Sequence, residues 1–298
     1  MYSQIDSNKR KTFLLIAIFI AVVIALGWFF GKLLGYGYQG LIIALLISWS
    51  MALFGYYKGD SVALWSAGAK EIEKNDNPYV WRLVENLSIT AGIPMPHVYI
   101  IPDAALNAFA TGRDPKHSSI AITAGIIDAL EKSELEGVIA HELSHIQNYD
   151  IRLMTLVIVL AGTLALLADF FIRSQFWGFG RRRDRDDGGL GGILLIVGII
   201  LAILAPLASQ LIQLAISRKR EFLADASGAL LTRYPQGLAS ALKKISTHSN
   251  ITRASTATAH LYIANPFSGS KKFLSNLFST HPPIEERIEA LQKMEKNQ

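Results

Sequence analysis

SELEGVIAHELSHIQNYD, residues 133–150, holds His141, Glu142 and His145 in the pattern H-E-x-x-H. Leu135, Val138, Ile139, Leu143 and Ile146 recur at helical spacing around it, and Ser133 followed by Glu136 reads as a capping box that starts a helix at Ser133. On a helix of 3.6 residues per turn, side chains at i and i+4 share a face, so the two imidazoles can converge on one metal ion. Glu142, next to the first imidazole, can reach a metal-bound water.

A catalytic zinc takes three protein ligands and keeps one position open, so the pattern needs a partner elsewhere in the chain. The extension that would put Gly at 148 and His at 151 is absent, because the chain has Asn148 and Ile151. A downstream acid is required instead. In RKREFLADA, residues 218–226, Glu221 and Asp225 stand four apart on a second helical pattern. Glu221 is the candidate third ligand, and Asp225 the candidate acceptor that fixes the tautomer of a ligand histidine. Taken alone, the two acids also read as a charged face pairing with Arg218 or Arg220; the histidine pair favours the ligand reading.

With HELSH at 141–145, EFLAD at 221–225, LNAFATG at 106–112, STHPPIEERIEAL at 279–291 and the order of its apolar segments, the sequence resembles the HtpX family of membrane-bound zinc metallopeptidases. These are gluzincins related to the prenyl-protein peptidases that process CAAX proteins. The resemblance spans nearly the whole chain. It implies His141, His145 and Glu221 as ligands of one Zn2+ per chain, Glu142 as the catalytic acid and base, Asn107 as a substrate-binding residue and His281 as a stabiliser of the transition state. Read from the residues alone, Asn107 also fits a turn, and His281 an N-terminal helix position before Pro282 and Pro283. The resemblance further implies a bacterial inner membrane and a role in quality control of misfolded or damaged membrane proteins.

Composition agrees with a membrane protein: hydrophobic residues make up 51% of the 298 and the mean hydropathy is +0.30. Residues 13–31 and 38–57 are each near the roughly 20 apolar residues that cross a bilayer as a helix. The first is longer than a secretory h-region and lacks a small-x-small cleavage site, so it reads as an uncleaved anchor. Residues 153–168 and 188–217 are also uncharged. There are no cysteines, which excludes thiolate ligands and disulfides. The net charge of +5 does not point to nucleic acid, because Lys9–Lys11 and Arg218–Arg220 flank apolar runs; the bilayer explains them better.

Lys9–Lys11 place the N-terminus in the cytoplasm, and two crossings return the chain there with the histidine pair. Glu221 must meet that pair, so the intervening hydrophobic stretch crosses twice or not at all. The loop 173–192, with five arginines and three aspartates, opposes a spanning hairpin by charge count, yet the hairpin is the reading adopted. Asp169, at the end of the third run, reads as an interfacial residue near Arg173.

The expected fold is thus a mainly α-helical integral membrane protein, with four apolar helical segments and a zincin-like catalytic domain carrying a small β-sheet. Its expected parts are a membrane hairpin (1–57), a first catalytic part with the sheet and the H-E-x-x-H helix (58–150), a second hydrophobic hairpin (151–217), and a second catalytic part with the third ligand and C-terminal helices (218–298). Residues 98–101 and 119–123 read as strands, with LNAFATG able to join them. Such a sheet either offers an edge to an extended peptide or only supports the metal helix. Peptides or membrane proteins are the expected substrates. The rival readings are a non-catalytic zinc-binding membrane scaffold or chaperone, disfavoured by Glu142, and a small transporter, disfavoured because the histidines lie outside the apolar runs.

Overall fold

Helix α1 (Tyr2–Leu33) and helix α2 (Tyr38–Ser66) pack along one another and lead into a helical domain that encloses a four-stranded sheet. This is a computed structural model, and it describes residues 2–33, 38–157, 159–160, 198, 218–247, 261–263 and 282–295. Asp169, the loop 173–192, nearly all of the fourth apolar run and His281 lie outside the described residues.

The apolar faces of α1 and α2 are turned outward: Phe13, Leu14, Ile42, Ile43, Leu46 and Phe54 are each more than half exposed. Leu41–Ser66 is the one helix among the described residues long and apolar enough to cross a membrane, and only 18% of its most apolar window is buried. Burial that low separates it from the core helix of a soluble domain. The helix also continues past Tyr57, where the apolar run ends. Its last turns bring Ala63 and Leu64 against Ile101, Phe109, Ala121 and Met154, so one continuous helix joins the exposed apolar stretch to the sheet. Higher up, Gly55 and Gly59 face the helical stretch 150–157 and its continuation at 159–160. A Cβ at Gly59 would lie 2.7 Å from Thr155 Cγ2, and one at Gly55 3.0 Å from Val159 Cγ1. Small residues four apart allow this close approach of two backbones.

The sheet contains β1 (Lys70–Glu71), β2 (His97–Ile101), β3 (Ala108–Asp114) and β4 (His117–Thr123), in the order β1-β2-β4-β3. β2 and β4 are parallel, while β1 pairs antiparallel with β2, and β3 with β4. The expected strands are present, and LNAFATG supplies β3. Gly112 is needed in the hairpin, since its φ is +139° and a Cβ there would sit 2.3 Å from the His117 carbonyl oxygen.

Helix α3 (Pro78–Ala91) starts at Asn77, whose side chain accepts from the Val80 N–H, and ends at Gly92 in the left-handed region. After α4 (Ala124–Ala129) comes α5 (Lys132–Gln147), the metal-pattern helix. Its cap is not Ser133. Glu131 is the N-cap, and Glu134 accepts from the Glu131 N–H at 2.8 Å, closing a capping box two residues earlier than the sequence suggests. Leu130 is extended, so the helix can begin directly after it; Glu136 is left to face Lys132 on the first turn. α6 (Arg218–Thr232), α7 (Pro235–Ile245) and α8 (Ile284–Glu295) complete the domain, and α5 is packed by α3, β3, α6 and α7. Its five periodic apolar residues are all 0% exposed.

Candidate metal centre

Because α5 is covered on every side, its polar residues are buried with the apolar ones, and each then needs a partner. His141 and His145, one turn apart, bring their Nε2 atoms to 3.2 Å. Glu221 enters from the first turn of α6, with Oε2 3.9 Å from His141 Nε2 and Oε1 3.5 Å from His145 Nε2. The three ligand atoms lie within 4.8 Å of one another. Two nitrogens bound tetrahedrally at 2.0–2.1 Å stand about 3.3 Å apart, so the imidazole spacing suits one ion. The helices can approach this closely because of Gly228 on α6, where a Cβ would be 3.0 Å from the His141 backbone nitrogen.

The other ring nitrogens are held by carboxylates. Asp225, one turn beyond Glu221, places Oδ1 2.9 Å from His141 Nδ1, while Asp150 places Oδ2 3.0 Å from His145 Nδ1. Arg287 of α8, fully buried, donates from Nε to Asp225 Oδ2 at 2.8 Å and from Nη2 to Oδ1 at 2.6 Å, and its Nη1 lies 3.6 Å from Glu221 Oε2. Arg220 donates to Asp150 Oδ1 at 3.2 Å. All buried, the carboxylates of Asp225, Glu221 and Glu142 act on the Arg287 guanidinium, and that of Asp150 pairs with Arg220. With neutral imidazoles and ionised acids, four negative charges against two positive leave two uncompensated, which suits a divalent cation.

Burial pushes Glu142 up to about 7, with the Glu221 charge adding and the His145 charge and the Ala110 N–H opposing. A carboxylate in that range can both take and return a proton near neutral pH. Burial lowers His141 below the ordinary imidazole value, and the hydrogen bond with Asp225 only partly offsets this. Burial acts the same way on His145, but its hydrogen bond with Asp150 and the surrounding carboxylates outweigh it and raise the group to about 9.

The structure brings His141, Glu142, His145, Glu221 and Asp225 together. Asn107 is fully buried just before β3, with its backbone tied to Thr123: the Asn107 N–H donates to Thr123 Oγ1 at 3.0 Å, and its carbonyl accepts the Thr123 N–H at 3.1 Å. The outer side of β3 is engaged from 108 to 112. Ala108 O accepts the Ile263 N–H at 3.0 Å, Ala110 N–H reaches Glu142, and Gly112 N–H donates to Thr155. Arg220, which the sequence offers as a partner of Glu221 or Asp225, pairs instead with Asp150, while Asp150 and Arg287 escaped the sequence reading. Asp150 follows the helix at five residues from His145, outside its i+4 rhythm, and Arg287 is hidden in an ordinary charged helical run. The only available signal was their position inside the compared motifs, at the end of 133–150 and within 279–291.

The family model for Peptidase family M48 matches residues 74–295. Over nearly their whole lengths the relatives are similar too. A protein named Protease HtpX homolog from Tropheryma whipplei (strain Twist) is 46% identical over 295 residues, 99% of this chain and 98% of its own. One of the same name from Thermoanaerobacter pseudethanolicus is 46% identical over 297 residues, 99% of this chain and 98% of its own. Among solved structures, S. mikatae Ste24p shares the fold, with a TM-score of 0.50 at 18% identity over 98% of this chain and 67% of that one. Two independent lines, the extent of these matches and the convergence of two imidazoles and a carboxylate on one buried point, agree that the chain belongs to peptidase family M48 and is a metallopeptidase of the HtpX type.

Proposed function

We propose that the chain is a membrane-embedded zinc endopeptidase, with its active site on the cytoplasmic side of a bacterial inner membrane, that hydrolyses peptide bonds of misfolded or damaged membrane proteins. The observation that carries the catalytic part is the convergence of His141, His145 and Glu221 on one buried point, with the buried carboxyl of Glu142 one residue from His141. His141, His145 and Glu221 hold the ion. When bound, zinc supplies Lewis acidity at the scissile carbonyl and eases proton loss from the attacking water. Glu142 takes that proton and delivers it to the leaving amine. Asp225 holds His141 in the tautomer that presents Nε2. Asn107 and His281 contact the substrate and the developing oxyanion, roles that rest on the family resemblance.

The membrane part is supported by the exposed apolar faces of α1 and α2 and by the unbroken run of α2 into the sheet. A site at the root of such a hairpin meets cytosolic loops and ends of membrane proteins first. The test is metal analysis together with cleavage of an unfolded membrane protein by the detergent-purified chain, with and without chelator. Glu142→Gln should keep stoichiometric zinc and lose cleavage. Retained turnover in the metal-loaded variant would sink the assignment, and zinc without cleavage in the unmodified chain would favour a scaffold.

A further inference from the structure

Asn8 lies in the second turn of α1, beyond the metal ligands in every sequence sense, yet it is only 1% exposed. Its Nδ2 donates to Asp150 Oδ1 at 2.7 Å and to the Asn148 carbonyl oxygen at 2.9 Å. Its Oδ1 accepts from Arg220 Nη1 at 3.3 Å, and the same nitrogen donates to Asp150 Oδ1 at 3.2 Å. One side chain therefore joins three pieces of the centre: the end of α5, the residue that orients His145, and the residue immediately before Glu221. The turn it grips is not a relaxed one, since Tyr149, between Asn148 and Asp150, has a φ of +60°, the left-handed region that a non-glycine residue seldom adopts. A conformation of that kind persists where its neighbours are held by other contacts.

We infer that Asn8 is a positioning residue of the metal centre, through which helix α1 holds Asp150 against His145 and fixes the spacing between His145 and Glu221. The inference rests on His141, His145 and Glu221 being the zinc ligands. An amide suits the post because it donates to the carboxylate and accepts from the guanidinium at once. It adds no charge to a region already holding several. Thr12, the next turn along, shows the contrast: it is also buried, but its hydroxyl donates only to the Asn8 carbonyl oxygen of its own helix. The consequence is that the metal centre depends on the N-terminal helix being docked, although that helix contributes no ligand.

The test measures zinc affinity by chelator competition, and the visible spectrum of the Co2+-loaded protein, on the full-length chain in detergent. Partners of ligand histidines change metal affinity by roughly 10–100-fold, and Asn8 acts one bond further out, so Asn8→Ala should weaken zinc by about tenfold and shift the Co2+ bands. In an Asp150→Ala background the same substitution should cost clearly less than in the unmodified chain, because the path to His145 is already cut and only the contacts to Asn148 and Arg220 remain. Thr12→Ala should leave affinity and spectrum alone. Unchanged affinity in Asn8→Ala, or a full additional loss in the double variant, would overturn the inference. Should Asn8→Ala not fold, the near-isosteric Asn8→Leu removes the same donor and is judged by the same outcomes. An unmodified chain that binds no stoichiometric zinc would instead overturn the ligand assignment.

Discussion

At the level of single residues, His145 and Glu142 carry the pH behaviour of the centre. In the metal-free protein His145 is protonated below about 9, whereas His141 is held neutral by burial. This matches the 3.2 Å contact, in which one Nε2 donates and the other accepts. A metal needs both nitrogens bare, so binding expels the His145 proton, and affinity should climb with pH up to about 9 and then level off. Calorimetry in buffers of different ionisation enthalpy should show about one proton released from this group at pH 8; no release would contradict the raised value. Asp225 and Arg287 form the other residue-scale test. Asp225→Ala leaves a buried guanidinium without its bidentate partner and should cost about 3–5 kcal/mol, whereas adding Arg287→Met should recover part of that loss in denaturation of the purified protein. The pair His141 and His145 was readable in the sequence because four residues make one turn. Asp150, Arg287 and Asn8 were not, because their contacts to the centre join segments as far as 212 residues apart or follow an irregular turn.

Among the elements, α5 was legible in its existence and its buried face, and misread only at its cap. Periodicity reports which side of a helix is apolar, but the cap depends on how the chain arrives, here extended from Leu130. Periodicity also gave no hint that the polar side would be covered. Gly137 shows what covers it: a Cβ there would fall 2.8 Å from the Leu238 backbone nitrogen of α7. Gly137→Ala gains roughly 1 kcal/mol of helix propensity, but forcing two backbones apart costs typically 1–3 kcal/mol. The clash is with backbone rather than with a flexible side chain, so the variant should be less stable, checked as a lowered unfolding midpoint. The strand β3 was readable as strand-forming sequence, while the partners on its outer side were not. The edge facing α5 is occupied by Glu142, Thr155 and Ile263, which supports the reading of the sheet as a brace for the metal helix.

For the whole molecule, the exposed apolar faces of α1 and α2 predict contact with lipid. Leu46 is 62% exposed on the hydrophobic stretch of α2. If that face meets acyl chains, Leu46→Asp should disfavour insertion by roughly 2.5–3.5 kcal/mol near the helix centre and lower the fraction retained in carbonate-washed membranes. Normal retention would place this face in water. The sequence by itself determined the helical, apolar character of the chain, the two imidazoles on one face and the acid pair at 221 and 225, because each is set by spacing within a single element. Only the tertiary structure decided that α6 crosses α5 at Gly228 and His141, that Arg287 pairs with Asp225, and that α1 reaches the centre through Asn8. Those contacts depend on how separate elements pack and on the partners that buried charges find once water is gone, and no local pattern encodes them.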